Sequence, residues 1–284
     1  MTQRPVAEGG PGAEAYLCPM PSRADLKTLA RLSRRKHREG LGLFLVEGVR
    51  AVEAAVEAGA PLMRVLATPE AAALPRIRAL VKGLPPDVPA EEVDPRDLAR
   101  IAETEHAQGV LAVVRRPASD AAALDEALDG ARRVVVLDGV QDPGNAGTIV
   151  RAAAWFGADA VVAGPGTADL FMPKTVRATM GALWAVRCAQ TADLAGLLDG
   201  LRARGLALWG AALDGQPAHG WQPAGAAALV LGSEGHGLSD AALARLDGTV
   251  RIGGGGRAGV ESLNVGVAAG VLLHAWLGGE ERGG

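Results

Sequence analysis

The stretch that decides the fold is "LDGVQDPGNAGTIVRAAAWFG", residues 137–157. It follows Arg133-Val134-Val135-Val136-Leu137, an apolar run that reads as a buried strand. Past the turn, Ile149, Ala152, Ala153 and Phe156 recur at the spacing of one helix face. Between strand and helix lie Asp142, Pro143, Gly144 and Asn145, residues that turn a chain. A strand, a tight turn and a helix in this order make a candidate ligand site. Asn145 stands at its turn, and Arg151 lies on the helix opposite the apolar stripe.

Working outward, strands are expected near 133–137, 160–163, 206–211, 227–231 and 249–252, and helices near 146–156, 173–181, 192–203, 239–245 and 262–277. This alternation predicts an α/β domain with a parallel sheet. The last helix is apolar nearly all round, with Gly266, Ala268, Ala269 and Gly270 in its first half, so it is expected to be buried. Upstream, Ser22 and Asp25 form a capping-box pattern opening a helix to about Ser33. Strands near 43–46, 61–68 and 109–114 and helices near 48–58, 70–82 and from Pro95 make a second, smaller α/β unit. The chain thus divides into a disordered tail, 1–21, a front domain, 22–115, a linker with a short helix, 116–131, and a rear domain, 132–284.

Hydrophobic residues make up 49% of the 284, enough for a sizeable core. No run approaches the roughly 20 apolar residues of a membrane helix, and the N-terminus lacks the apolar core of a signal peptide. A cytoplasmic protein is expected. Cys18 and Cys188 are too few for a disulfide framework or a cysteine zinc site, and the five histidines show no ligand spacing, so no metal is expected. The net charge of −3 argues against nucleic-acid binding. Its distribution argues back: residues 22–40 carry seven basic and two acidic side chains, a local charge of +5. That run is either a solvated helix face or a patch that contacts phosphates.

Two further glycine-rich turns follow expected strands: "LVLGSEGHGLS", 229–239, and "RIGGGGRAGVESLNVGVAAG", 251–270. Ligands of open parallel sheets bind outside the carboxyl ends of the strands, so three such loops can converge on one pocket. The familiar glycine motifs fail. Gly-x-Gly-x-x-Gly is absent after the first strand, no Gly-Lys-Ser/Thr is present, and Leu231 replaces the first glycine of a nucleophile elbow.

Together and in order, the turns resemble the three motifs of the SpoU (TrmH-type) RNA ribose 2'-O-methyltransferases of the SPOUT superfamily, through "DPGNAGTIVRAAAWFG", "LVLGSEGHGLS" and "ESLNVGVAAG". The segment "FMPKTVRATMGALW", 171–184, is similar to the stretch that the family carries between its first two motifs. In the front domain, "FLVEGVRAVEAA", 44–55, and "ETEHAQGVLAVV", 103–114, resemble the family's ribosomal-protein-like RNA-recognition domain. The resemblance implies a deep trefoil knot in the rear domain, S-adenosylmethionine bound in that knot, and a homodimer with the site at the subunit interface. It implies methyl transfer to a ribose 2'-hydroxyl. The two-domain layout favours ribosomal RNA over tRNA. The alternatives are a tRNA 2'-O-methyltransferase and a non-catalytic RNA-binding protein on the same scaffold.

By the same resemblance the catalytic residues are Asn145, Arg151, Glu234, Ser262 and Asn264. An arginine with a pKa above about 12 is a poor base, so Arg151 is expected to stabilise the forming alkoxide and the adjacent phosphate. Asn145 is expected to orient Arg151 and the ribose, and Glu234 to brace the loops and Arg151. Leu213, Gly232, Glu234, Ile252 and Leu263 are the expected cofactor contacts. Lys174, Arg177 and Thr179 in the rear domain, and Arg34, Arg35, Arg38, Glu47 and Gln108 in the front domain, are the expected RNA contacts. One departure stands out. The family's third motif usually begins Ile-Pro-Met or similar, whereas here Ile252 is followed by four glycines, Gly253 to Gly256. Ordering such a loop costs more entropy, so weaker cofactor binding is expected.

Overall fold

The computed structural model describes residues 20–102, 108–254 and 262–278. Residues 1–19, 103–107, 255–261 and 279–284, which include most of the expected disordered tail and Gly255 and Gly256 of the glycine run, lie outside the described residues.

The front unit holds helices α1 (Arg23–Ala30) and α2 (Arg35–Leu41), strand β1 (Leu43–Glu47), helix α3 (Val49–Glu57) and strand β2 (Leu62–Ala67). Helices α4 (Pro69–Ala72) and α5 (Pro75–Lys82), strand β3 (Ala90–Glu92), helix α6 (Pro95–Ile101) and strand β4 (Val110–Arg115) complete it. Its sheet runs β1-β4-β2-β3, with β4 antiparallel to both neighbours and β3 parallel to β2. Ser22 and Asp25 form the capping box reciprocally at the start of α1. The single helix expected over 70–82 is two helices. Pro75 has no N–H to donate and holds Leu74 extended, so the chain breaks there and restarts. Strand β3 was not expected, because its polar Glu91 and Glu92 carry no apolar alternation.

Helix α7 (Ala121–Leu128) precedes the rear unit's strands β5 (Arg133–Asp138), β6 (Ala160–Ala163), β7 (Arg187–Gln190), β8 (Ala207–Pro217), β9 (Ala227–Gly232) and β10 (Gly248–Arg251). All pair in parallel, in the order β10-β8-β9-β5-β6-β7. Helices α8 (Pro143–Phe156), α9 (Pro173–Ala178), α10 (Leu194–Ala203), α11 (Asp240–Leu243) and α12 (Val265–Leu277) connect or follow them. The central strands are apolar on both faces because both are covered. Val135 and Leu137 of β5 face the core shared with α8 and α12, while Val134 and Val136 face the core shared with α10.

Three expectations change. Helix α8 begins at Pro143 rather than at 146, because Asp142 caps it and proline suits the first helical position. Residues 116–131 are no passive linker, since Arg116 is buried and Leu128 of α7 joins the core on the α10 side. Helix α12 is buried on one face only, through Ala269, Leu272, Leu273 and Trp276. Its other face leaves Val267 53% exposed and Val271 also open, because one chain supplies cover from one side alone. Beside it on α8, Trp155 is 79% exposed.

The two units share a continuous apolar core. Phe44 of β1 stacks against Phe171 at 5.2 Å and near Trp184 at 6.0 Å between ring centroids. No helix among the described residues is long and apolar enough to cross a membrane.

Candidate active site at the strand ends

The carboxyl ends of β10, β8, β9 and β5 lie side by side. After β5, the Asp142 side chain accepts the Asn145 backbone N–H at 2.9 Å and opens α8. After β9, Ser233 and Gly237 exchange two backbone hydrogen bonds of 2.9 Å, closing a small loop. Only glycine fits at 232, where a Cβ would lie 2.2 Å from the Gly237 carbonyl carbon. The far side of this loop is held by Asp138, whose buried carboxylate accepts the Ser239 N–H at 2.6 Å.

Three side chains join the three loops. The amide of Asn264 donates to Oδ1 of Asn145 at 2.9 Å, and Nδ2 of Asn145 donates to Glu234 at 2.8 Å. The direction of this chain is set at its start. Oδ1 of Asn264 accepts from the N–H groups of Gly266 and Val267, capping α12, so its nitrogen must be the donor. Asn145 then accepts with its oxygen and donates with its nitrogen. Glu234 also accepts the Gln141 N–H at 3.2 Å. Burial alone would raise the Glu234 pKa. The amide of Asn145 and nearby backbone N–H groups outweigh that and hold the carboxyl below its ordinary value.

Arg151 does not join this chain. It is exposed and makes no hydrogen bond or ion pair among the described residues. Six residues past Asn145, it is rotated about 240° around α8 and displaced about 9 Å along it. Glu234 therefore braces Asn145 and the Gln141 backbone, not Arg151 as expected. Ser262 is exposed beside Asn264.

The expected cofactor residues sit at the same edge. The β8–β10 register jumps from Thr249 opposite Gly210 to Val250 opposite Gln216, so residues 211–215 bulge out of the ladder. Within that bulge, Leu213 is 74% exposed. Ile252 follows β10 and packs half-buried on the core, and Leu263, also exposed, precedes Asn264. Gly253 and Gly254 are open, with nothing within 4 Å of a Cβ.

The expected RNA contacts divide. Arg34 and Arg35 are exposed, Arg35 pairing with Glu39 at 2.7 Å. Gln108 is exposed and accepts the Val49 N–H at 3.0 Å. Lys174 is exposed and lies 3.5 Å from Asp142. Arg38 is a correction. It is 2% exposed, donates to Asp169 at 2.7 and 3.0 Å and to the carbonyls of Leu32 and Ser33, and offers no surface to a phosphate. Two further corrections follow from burial. Glu47 is buried and accepts from Arg177 at 2.9 Å, and Thr179 is fully buried, donating to the Val176 carbonyl at 2.7 Å. Charge in sequence could not reveal these partners, because Asp169 lies 131 residues from Arg38. Asp138 and Asp169 were missed. The first had a signal, an acid ending an apolar strand; the second had none.

Comparison with known proteins gives this geometry a lineage. Residues 132–274 match the SpoU rRNA Methylase family, and residues 23–112 match an MRM3-like substrate binding domain. The chain is 34% identical over 251 residues to the 23S rRNA (guanosine(2553)-2'-O)-methyltransferase RlmP of Bacillus subtilis, covering 88% of this chain and 94% of that one. It is 32% identical over 257 residues to the 23S rRNA (uridine(2479)-2'-O)-methyltransferase of Streptomyces viridochromogenes, covering 86% of each. Among solved structures, the SpoU methyltransferase AviRb of that organism, in complex with the cofactor AdoMet, superposes with a TM-score of 0.81 at 29% identity, covering 89% of this chain and 97% of that one. With three motif loops joined at the strand ends and both parts of the chain matched, this protein belongs to the SpoU rRNA methylase family.

Proposed function

We propose that the protein transfers a methyl group from S-adenosylmethionine to a ribose 2'-hydroxyl of ribosomal RNA. The observation that carries this reading is the hydrogen-bonded chain Asn264–Asn145–Glu234, which joins all three motif loops at the carboxyl edge of the sheet. Full-length similarity to two proteins named as 23S rRNA 2'-O-methyltransferases supports ribosomal RNA over tRNA. The front domain, 22–115, would present the RNA to the rear domain, 132–284, in the cytoplasm.

The residues at the strand ends fit an adenosyl-type donor. Leu213 and Leu263 leave apolar side chains uncovered beside loop backbone, and Gly232 keeps that backbone tightly folded. These residues, with Ile252 and the Glu234 loop, would hold the donor, which supplies an electrophilic methyl on a sulfonium. The chain's own residues position and polarise. Glu234, held ionised, fixes Asn145, and Asn264 fixes it from the other side. Each amide nitrogen retains a second N–H with which to orient an oxygen of the ribose. Arg151 keeps its guanidinium exposed and without a partner among the described residues, suited to stabilising the forming alkoxide and the neighbouring phosphate. Arg34, Arg35 and Lys174 are the exposed cations suited to RNA phosphates.

A homodimer is part of this reading. Val267 and Val271, one turn apart on α12, and Trp155 on α8, the helix against which α12 packs, are exposed apolar residues, and Arg151 lies on α8 as well. Exposed apolar residues on two packed helices are suited to cover by a second subunit, which would bring Arg151 to the interface. The trefoil knot belongs to the reading as well, supported by the packing of α12 on α8 and β9.

The test is transfer of a labelled methyl group from S-adenosylmethionine to unmodified ribosomal RNA, followed by nucleoside digestion. A labelled 2'-O-methyl nucleoside is expected. Cofactor binding without transfer to free RNA or to assembled subunits would favour the non-catalytic alternative.

A further inference from the structure

The seam between the two units holds charged residues that the proposed chemistry does not use. Arg38 and Asp169 form an ion pair with both side chains almost wholly buried. Arg116, also buried, donates to Gln190 at 2.6 Å and lies over the Phe171 ring at 5.2 Å. Its Nε has no partner among the described residues. Glu47 and Arg177 make a third link at 2.9 Å.

This is a poor way to gain stability. Burying an ion pair costs desolvation that its attraction barely offsets, and an unpartnered buried N–H costs more. The apolar contact of Phe44 with Phe171 and Trp184 already supplies cohesion. Apolar faces can slide and rotate on one another; directional bonds cannot. Three links start from α2, from β1 and from Arg116, the residue that follows β4. They end on three elements of the rear unit: the loop after β6, α9 and the last residue of β7. Three such anchors fix one orientation. Gln190 ends β7 and Asp169 lies in the loop that leaves the carboxyl end of β6; β6 in turn neighbours β5, whose carboxyl end carries the candidate active site.

We propose that Arg38–Asp169, Arg116–Gln190 and Glu47–Arg177 are positioning pairs that hold the RNA-recognition unit in one fixed orientation beside the active site and so determine which nucleotide of the RNA is methylated. The part concerning RNA rests on the proposed function; the fixed orientation does not. The pairs act through the geometry of the front unit and touch neither reacting atom.

The test replaces Arg38→Met together with Asp169→Leu, which keeps volume and removes the direction. Glu47→Gln, at a separate anchor, serves as a second, milder variant. Spin labels at Glu57→Cys and Ala203→Cys, in a Cys18→Ser background, report the distance between the units. Cys188, only partly buried on β7, is replaced by alanine in the same background. The unsubstituted pairs should give one narrow distance distribution, and the variants a broadened one. With ribosomal RNA, KM should rise by about tenfold, more than kcat falls, with methylation spreading to neighbouring nucleotides, as misplacement by an ångström suffices for such losses. Calorimetric affinity for S-adenosylmethionine should stay the same. Distance distributions as narrow as in the unvaried protein would overturn the proposal, and broadened distances with an unchanged target nucleotide would overturn its specificity claim. If the unvaried protein transfers no methyl group, the proposed function falls while the distances still decide the fixed orientation.

Discussion

The Asn264 amide donates to the Asn145 carbonyl oxygen at 2.9 Å, across 119 residues of sequence. This bond ties the cap of the last helix to the first turn of α8. Because Asn264 spends its oxygen on the N–H groups of α12, the donor direction of the whole chain down to Glu234 is determined.

Asn145→Asp should therefore be severe. The new carboxylate can still accept from Asn264 but faces Glu234 with a like charge in place of a donor. Methyl transfer should fall at least about a hundredfold, and stability by about 1–3 kcal/mol, read by single-turnover transfer and urea unfolding. Near-unaltered activity would remove the chain from the mechanism.

The depressed Glu234 pKa has a sign that unfolding can read. A carboxyl whose folded pKa lies below its unfolded value of about 4.3 adds stability above that value and loses it as pH falls through the folded one. Stability should thus decline in acid below about pH 4.3, and Glu234→Gln should flatten part of that decline. Identical urea midpoints against pH for the two proteins would show that Glu234 is not linked to folding.

Arg151→Ala should leave the fold intact, since replacing an exposed surface side chain costs within about 0.5 kcal/mol. Cofactor affinity should stay nearly constant while transfer falls by about a hundredfold or more. Retained turnover would take Arg151 out of the reaction.

Gly147→Ala tests the packing beneath the site. A Cβ at 147 would lie 2.5 Å from the Ala178 Cβ and 2.6 Å from the Thr175 carbonyl, so α8 and α9 must separate. A loss of about 1–3 kcal/mol is expected from overpacking, measured by urea unfolding.

Reversing charge at Arg34 and Arg35, while leaving the buried Arg38, should weaken RNA binding and reduce its salt slope by about 1 to 2. Unchanged affinity would make the basic run a solvated face. In the third loop, Gly253→Pro should lower the dissociation constant for S-adenosylmethionine by restricting the free chain; an equal or weaker constant in calorimetry would count against the entropic account.

The rear sheet was legible because its central strands are buried on both faces and so appear as unbroken runs such as Val134 to Leu137. Strand β7 was not, because Arg187 and Gln190 bound only two apolar residues. The motif residues were legible through their order along the chain, but their partners were not: that Glu234 holds Asn145 rather than Arg151 depends on helix rotation. Arg38, Glu47 and Thr179 were misread for one reason. Their polar side chains suggested an RNA surface, while folding against the rear unit buries Arg38 and Glu47, and Thr179 turns inward at the end of α9 to the Val176 carbonyl.

The Asn145–Asn264 bond also sets a schedule during synthesis. Asn145 leaves the ribosome long before Asn264 exists, and the bond closes a separation of 119 residues. Contacts of such span form late, after much loop-closure entropy has been lost. A nascent chain can build β5, α8 and β9, yet Asn145 stays half-partnered until α12 has been translated and docked. The protein that acts on ribosomal RNA thus acquires its working centre at one of the last steps of its own translation.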